Sequence, residues 1–454
     1  MTDSADAGLF PLPLVAFEDY MLTDDCADYP ATFFFRLRFA GRWDRAGLAA
    51  AAAVAVARHP LLRAVVRRSQ SGRPEWVAAE DPQPAIDWHG GALPAAAPAD
   101  WHIDLYRQTG LRIAVVEQGD ATEMLLQFHH ACCDGMGALQ FIADLLQAYH
   151  ERTSPSAANH PPRPLDPRRL RQRGKFGLTP LGYLLRLPVE LAGLVGSLEY
   201  FLHRPAALAG PADGNACTAA GFPAILAHTF SQAETEDISR IAAREGGTVN
   251  DFLLRNLFVV ASAWNVERDP KLRRRYVRIM VPMNLRGPAD DAMPAANVVS
   301  MIHIDRRPHK AGSFNAQARL ARVELRLCKK WRLGLTTVHY MQVFRRFRNG
   351  LKRLIPKHRC LGTTVLSNLG DPVRHIELPR QNGRIIVGGL TLEAIEPVPP
   401  VRPFTRASYG AVFYAGRLTL TVHYDPRCFT PEEGRELLDR FVAEIRRAIA
   451  DGAE

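Results

Sequence analysis

Hydrophobic and polar spacing divides the chain into two halves of mixed strands and helices, separated by a proline-rich and then strongly apolar stretch. In the first half, Phe33–Phe39 ends in alternation and predicts a strand; residues 44–58 predict a helix whose alanine run at 49–53 suits close packing. Residues 65–77, with Ser71-Gly72 between two apolar runs, predict a hairpin, and 81–100, rich in proline and alanine, a loop. A second hairpin, 111–116 and 123–128 about Gly119-Asp120, delivers the chain to His129 and His130. Beyond Asp134-Gly135, Leu139, Ile142, Leu145, Leu146 and Tyr149 predict a helix over 136–150. Residues 152–175, with five prolines and six basic residues between 163 and 175, predict a linker. The apolar stretch 178–202 is interrupted by Arg186, Pro188, Glu190 and Glu199, too many charges for a membrane span, and predicts an amphipathic helix pair lying on the protein or on a bilayer surface.

The second half restarts near Pro223. Its pattern predicts strand then helix over 229–244, a helix over 248–264, strands at 278–283 and 297–305, and a helix over 316–331. Strands at 363–366 and 385–392, a hairpin arm at 416–424 and a closing helix over 431–450 follow. Strands and helices do not alternate strictly, so the expectation is an α/β (α+β) chain of open mixed sheets packed with helices. At 454 residues it is too long for one compact core. The expected division is an N-terminal lobe over 1–165, a linker and amphipathic crossover over 166–222, and a C-terminal lobe over 223–454.

The chemistry-bearing stretch is Leu125–Gly135, an apolar strand that runs into two histidines and stops at a turn. Neighbouring side chains on an extended segment point to opposite faces, so only one histidine can face a given cavity. An imidazole is neutral near pH 7 without perturbation, which suits a general base. A metal site is the rival, since His129, His130, Cys132, Cys133 and Asp134 are all ligand types, but the ligands are too close in sequence to converge and no Cys-x-x-Cys cluster accompanies them. No metal is expected.

Hydrophobic residues at 47% and charged residues at 23% are those of a globular protein and exclude extended disorder. The acidic Met1–Asp6 start is unlike a signal peptide, and seven irregularly spaced cysteines suit free thiols in a reducing cytoplasm. The net charge of +10 is concentrated: residues 322–359 hold twelve Lys or Arg against Glu324 alone. Trp331, Tyr340, Met341, Phe344, Phe347, Leu351 and Leu354 interleave with these cations, an arrangement suited to an anionic membrane surface, an acidic carrier protein or the phosphates of coenzyme A. No nucleic-acid-binding motif accompanies it, so nucleic acid is not an expected partner.

His129-His130-x-x-x-Asp134-Gly135 resembles the signature shared by chloramphenicol acetyltransferases, nonribosomal peptide condensation domains, plant acyl-CoA-dependent acyltransferases and bacterial wax ester synthases. Arg58-His59-Pro60-Leu61-Leu62-Arg63, Gly110-Leu111-Arg112, Thr248–Asp251, Val281–Arg286, Asn297 and Ser367–Gly370 are similar to family stretches in the same order, so the resemblance spans nearly the whole chain. It implies two chloramphenicol-acetyltransferase-like lobes meeting at a central cleft, with His130 as general base, His129 supporting the loop, and Asp134 paired with Arg286 to hold the loop's shape beside Gly135. Ser367 or Asn368 would be the oxyanion or substrate contact.

The implied activity is transfer of an acyl group from a coenzyme A or carrier-protein thioester to a hydroxyl acceptor, lipid-like and met at the inner face of a membrane, with no cofactor beyond the thioester substrate. An amide-forming condensation enzyme with an amine acceptor and an acyl carrier protein is the alternative, and an inactive carrier-protein-binding member a third. The plant branch's Asp-Phe-Gly-Trp-Gly motif is absent, as are adenylation and carrier segments, which favours a stand-alone bacterial O-acyltransferase.

Overall fold

The computed structural model describes residues 8–154, 161–210, 221–308 and 322–453; the N-terminal hexapeptide lies outside them. Two mixed sheets carry the chain, each packed with helices. The first has seven strands in the order Arg380–Gln381, Arg384–Val387, Leu390–Val398, Thr32–Ala40, Ala121–His129, Leu111–Gln118, Ala85–Gly90. The second has six: Val299–Arg306, Val277–Asn284, Thr364–Asn368, Ala407–Tyr414, Arg417–Tyr424, Ala224–Thr229. A small ribbon joins Leu12–Pro13, Pro74–Ala78 and Ala64–Arg68.

The first sheet is not built from the first half alone. Thr32–Ala40 buries Phe33, Phe34, Phe35, Leu37 and Phe39 and therefore needs a neighbour on each edge. Ala121–His129 takes one edge, with Phe33 opposite Phe128. The other is taken by Leu390–Val398, with Ile395 opposite Leu37. The strand expected at 385–392 is thus two strands, 384–387 and 390–398, and both lie in the first sheet. From Val398 the chain crosses to the second sheet, where Gly410 lets the backbones of the two sheets meet: a Cβ there would lie 2.3 Å from the Pro397 carbonyl.

Three other sequence expectations change. The loop expected at 81–100 contains the edge strand Ala85–Gly90, held parallel to Leu111–Gln118 and missed because it is largely exposed and does not alternate cleanly. Helix Ala16–Asp24 is new, and its Glu18 is fully buried, accepting from Arg173 (2.5 and 2.7 Å), the Trp76 indole (3.0 Å) and the Val15 amide (2.9 Å). Arg173, read as one charge of a linker, is therefore a core residue that pins 167–173 onto the first lobe. Of the helix expected over 316–331, residues 322–330 are helical, and 316–321 lie outside the described residues.

Elsewhere pattern and structure coincide. Ala51, Ala52 and Ala55 of helix Arg45–Ala57 are buried where that helix packs on Gly135–Thr153. Thr248 and Asp251 form a capping box on helix Val249–Arg268.

Candidate functional site

Ala121–His129 runs in the middle of the first sheet and ends at the cleft between the sheets. His130 follows, with its amide donating to the Ala31 carbonyl (2.8 Å) and its carbonyl accepting from Asn297 of the second half. The strand's alternation separates the two histidines. His130 lines a long, mostly apolar tunnel between the sheets, together with Phe17, Phe33, Gly135, Pro282, Ser367 and Leu369. The Phe33 ring stands edge-on to it at 4.9 Å.

Burial pushes the His130 pKa below the ordinary imidazole value; its own carbonyl and the Asp134 carboxylate pull the other way without prevailing. The ring is therefore neutral at physiological pH and able to accept a proton.

His129 points away from the tunnel and is fully buried. Its Nδ1 accepts from the Ala131 amide (3.1 Å), and its Nε2 lies 3.6 Å from Asp25. Asp25 also takes His102 at 2.8 Å and the Ala31 amide at 2.8 Å. Burial alone would raise the Asp25 carboxyl, but His129, the Ala31 amide and His102 outweigh it and hold the pKa below the usual carboxylate range. Asp25 thus fixes Ala31, and Ala31 fixes the His130 backbone. His102 and Asp25 escaped sequence reading because nothing in spacing links Asp25 to His102, 77 positions on, or to His129 beyond it.

Asp134 has two roles at once. One oxygen caps helix Gly135–Thr153 by accepting from the Gly137 amide (2.9 Å); the other accepts from Arg286 (2.7 Å) and from the Val298 amide (2.8 Å). Arg286 also donates to the Ala296 carbonyl at 2.8 Å. Asp134 and Arg286 are brought together as the sequence suggested, and neither lines the tunnel. Gly135 does, and a Cβ there would press on Leu369 at 3.1 Å. Ser367 also lines the tunnel, whereas the Asn368 side chain turns back to accept from the Gly370 amide (2.9 Å). His59 holds the segment next to Ala296, with Nδ1 accepting from the Ala295 amide (3.0 Å) and Nε2 on Asp144 (3.1 Å).

Cys132 and Cys133 are fully buried, and burial drives both thiols far above their ordinary pKa. They pack as small apolar side chains. Among the described residues, no three His, Cys, Asp or Glu side chains are grouped to hold a metal.

One wall of the tunnel was missed in the sequence. Phe17, Tyr20, Met21 and Asp24 line it from helix Ala16–Asp24, at i, i+3, i+4 and i+7, a stripe that periodicity could have revealed. Asp24 is held by Arg402, reached from the crossing between the sheets (2.5 and 2.7 Å). His303 also lines the tunnel, and burial with the Arg278 and Arg402 cations lowers its pKa to about 3.

The comparisons with known proteins report similarity of sequence and of fold. Residues 116–253, which include the His-His strand and loop, match the wax ester synthase/diacylglycerol acyltransferase catalytic domain. An uncharacterized protein of Mycobacterium tuberculosis is 27% identical over 96% of this chain and 99% of its own. The first condensation domain of the calcium-dependent antibiotic synthetase, solved with a substrate analogue, superposes with a TM-score of 0.66 at 17% identity, covering 98% of this chain and 97% of that one. By fold, the chain resembles these condensation domains. A starter condensation domain of rhizomide synthetase, in complex with C8-CoA, matches this condensation-type fold at a TM-score of 0.64 and 15% identity over 99% and 98% of the two chains.

Proposed function

We propose that this protein transfers an acyl group from a coenzyme A or carrier-protein thioester to the hydroxyl of a lipid-like acceptor, with His130 as general base. The observation that carries the reading is that His130 alone of the pair faces an apolar tunnel, while burial keeps its imidazole neutral. The acceptor's oxygen gives its proton to His130 and attacks the thioester carbonyl. The tetrahedral oxyanion meets Ser367, the carbon–sulfur bond breaks, and the leaving thiolate takes the proton back from the imidazolium. An ester and a free thiol result, with the proton count balanced. The base contributes about 10²–10⁴-fold; the rest comes from proximity within the tunnel and oxyanion stabilisation. The thioester is already activated, so no cofactor is needed in this scheme.

A lipid-like acceptor is supported by the outer surface beside the tunnel. Helices Pro180–Leu185 and Leu187–Leu202 turn Leu184, Leu185, Leu191, Val195, Leu198 and Leu202 to solvent, Leu202 at 75% exposure. Two of the charges that interrupt this stretch face inward instead, Arg186 pairing with Glu190 (3.1 Å) and Glu190 with His339 (3.2 Å), while Glu199 is exposed. Trp331 and Phe347 are exposed nearby among Lys329, Lys330, Arg346 and Arg348. Tyr340, Met341 and Leu354, also expected on that surface, line the tunnel. Tyr200 and Phe201 of Leu187–Leu202 line it as well, so one helix has both an outer leucine face and an inner tunnel wall. Among the described residues no helix is long and apolar enough to cross a membrane; in this reading the leucine face and its cations rest on an anionic bilayer.

The test is direct. The protein is incubated with a panel of acyl-CoAs and alcohol or amine acceptors while thiol release is followed. Alcohol-dependent release that disappears in His130→Ala supports the reading. Release with amines alone favours amide formation, and none with either leaves a binding protein.

A further inference from the structure

The tunnel abuts a second cavity: Tyr200 and Leu361 line both. The rest of this cavity is cationic, with Arg204, Arg275, Arg278 and Arg359 joined by His203 and His358. Asp305 holds Arg278 through both ends of its guanidinium (2.6 and 2.7 Å) and also takes His203 (2.9 Å). Asp305 is the only acid paired there among the described residues, so four arginines less one carboxylate leave three positive charges uncompensated. Arg204, Arg275 and Arg359 reach solvent at the rim. The rim is also built rather than accidental. Pro205 bridges Tyr276, the Ala206 amide donates to the Tyr276 carbonyl (2.9 Å), and the His203 ring stacks on Tyr276 at 3.9 Å. Converging like charges repel, so a mouth that holds several guanidinium groups together is suited to an anion, and their forked donors match phosphate oxygens.

The distance to the base fits a thioester donor. Arg278 at the cavity and Pro282 in the wall of the tunnel that His130 also lines lie on one strand, Val277–Asn284. Four residues of strand span about 13 Å, within the reach of a pantetheine arm. Resting on the acyl-transfer reading above, we propose that this cavity binds the phosphates of coenzyme A, and that the arm threads past Tyr200 and Leu361 to present its thioester carbonyl to His130. The number of free arginines favours the several phosphates of coenzyme A over the single phosphate of a carrier-bound arm.

The test uses the full chain and the double variant Arg204→Ala/Arg359→Ala, both sites being exposed and outside the tunnel. Free coenzyme A, phosphopantetheine and pantetheine are titrated calorimetrically into both proteins, with melting temperatures as a check on folding. The expected result is a loss of at least ten-fold in coenzyme A affinity and no change for pantetheine, which has no phosphate. Equal coenzyme A affinity in wild type and double variant overturns the proposal; wild-type affinity no greater for coenzyme A than for phosphopantetheine overturns coenzyme A as the source of the phosphate. The proposal and the function on which it rests fail separately. Transfer from an acyl-CoA with an unchanged KM in the double variant sinks the phosphate site and leaves acyl transfer standing. Arginine-dependent coenzyme A binding without any acyl transfer does the reverse.

Discussion

Asp134 at the end of the His-His loop and Arg286 at the end of a strand in the other sheet meet at 2.7 Å, with side chains only 4% and 19% exposed. The pair is a clamp between the two sheets, since Asp134 also caps its own helix and holds the Val298 amide. Removing one partner of such a pair leaves a buried charge uncompensated, at a cost on the order of 3 kcal/mol. Asp134→Asn and Arg286→Ala should each lower the melting temperature by several degrees, and the double variant should cost clearly less than the two singles added. Additive costs in chemical denaturation, or unchanged melting, would reject the clamp.

The two histidines should separate in kinetics. His130→Ala should lower turnover by about 10²–10⁴-fold with little loss of stability, because its ring lines a tunnel and fills no core. His129→Ala should lose stability as well, because it empties a fully buried site beside Asp25. A His130→Ala enzyme with near wild-type turnover would invert the assignment.

Turnover should have an acid limb below that of an exposed imidazole. Burial lowers the His130 pKa, so the base stays unprotonated at pH values where a free imidazole is already charged. An apparent pKa in kcat/KM at or above 6.5 would contradict this.

Stability should fall on acidification before the carboxylates titrate. His423 is buried with its Nδ1–H donating to the Pro399 carbonyl (2.8 Å), and burial lowers its pKa from 6.5 to about 4. Below about 6.5 the unfolded chain takes up a proton that the folded chain refuses until about pH 4. Its stabilising effect is therefore present above 6.5 and lost across that window, at about 1.4 kcal/mol per pH unit. His59, also buried and lowered, acts in the same direction. Denaturation at pH 7 and pH 5 should show the loss, and His423→Asn should reduce it.

Membrane contact predicts sedimentation with anionic vesicles that weakens as salt rises. Arg345 is not a free surface cation, because it donates to the Leu14 carbonyl (2.9 Å) and lies 3.5 Å from Asp19. The charge test therefore belongs to Arg346, Arg348 and Lys352, all exposed. Their joint neutralisation should weaken binding, and Leu191→Gln with Leu198→Gln should do so at any salt. Turnover on a short soluble acceptor should survive both changes. No sedimentation with either anionic or neutral vesicles would remove the bilayer from the proposed function.

The sequence by itself determined what depends on local order. Alternation through 121–129 placed a strand before the histidines and put them on opposite faces, Asp134-Gly135 stopped it, and helical spacing drew the helix that Asp134 caps. The like-charged stretch 322–359 and the apolar stretch 178–202 were equally visible, because composition needs no partner to be read. Tertiary structure decided everything that depends on which distant segment fills a vacant place. Leu390–Val398 enters the first sheet because a strand buried on both faces cannot be left with a bare edge. Arg173 leaves the basic linker for the core because Glu18 is buried there and needs a cation. Arg186 and Glu190 of 178–202 turn inward because Glu190 finds Arg186 and His339, which leaves the leucines outside. Arg204, Arg275 and Arg359 share one mouth although scattered over some 150 positions, because burial and pairing energies are summed over neighbours in space, and the sequence gives only neighbours along the chain.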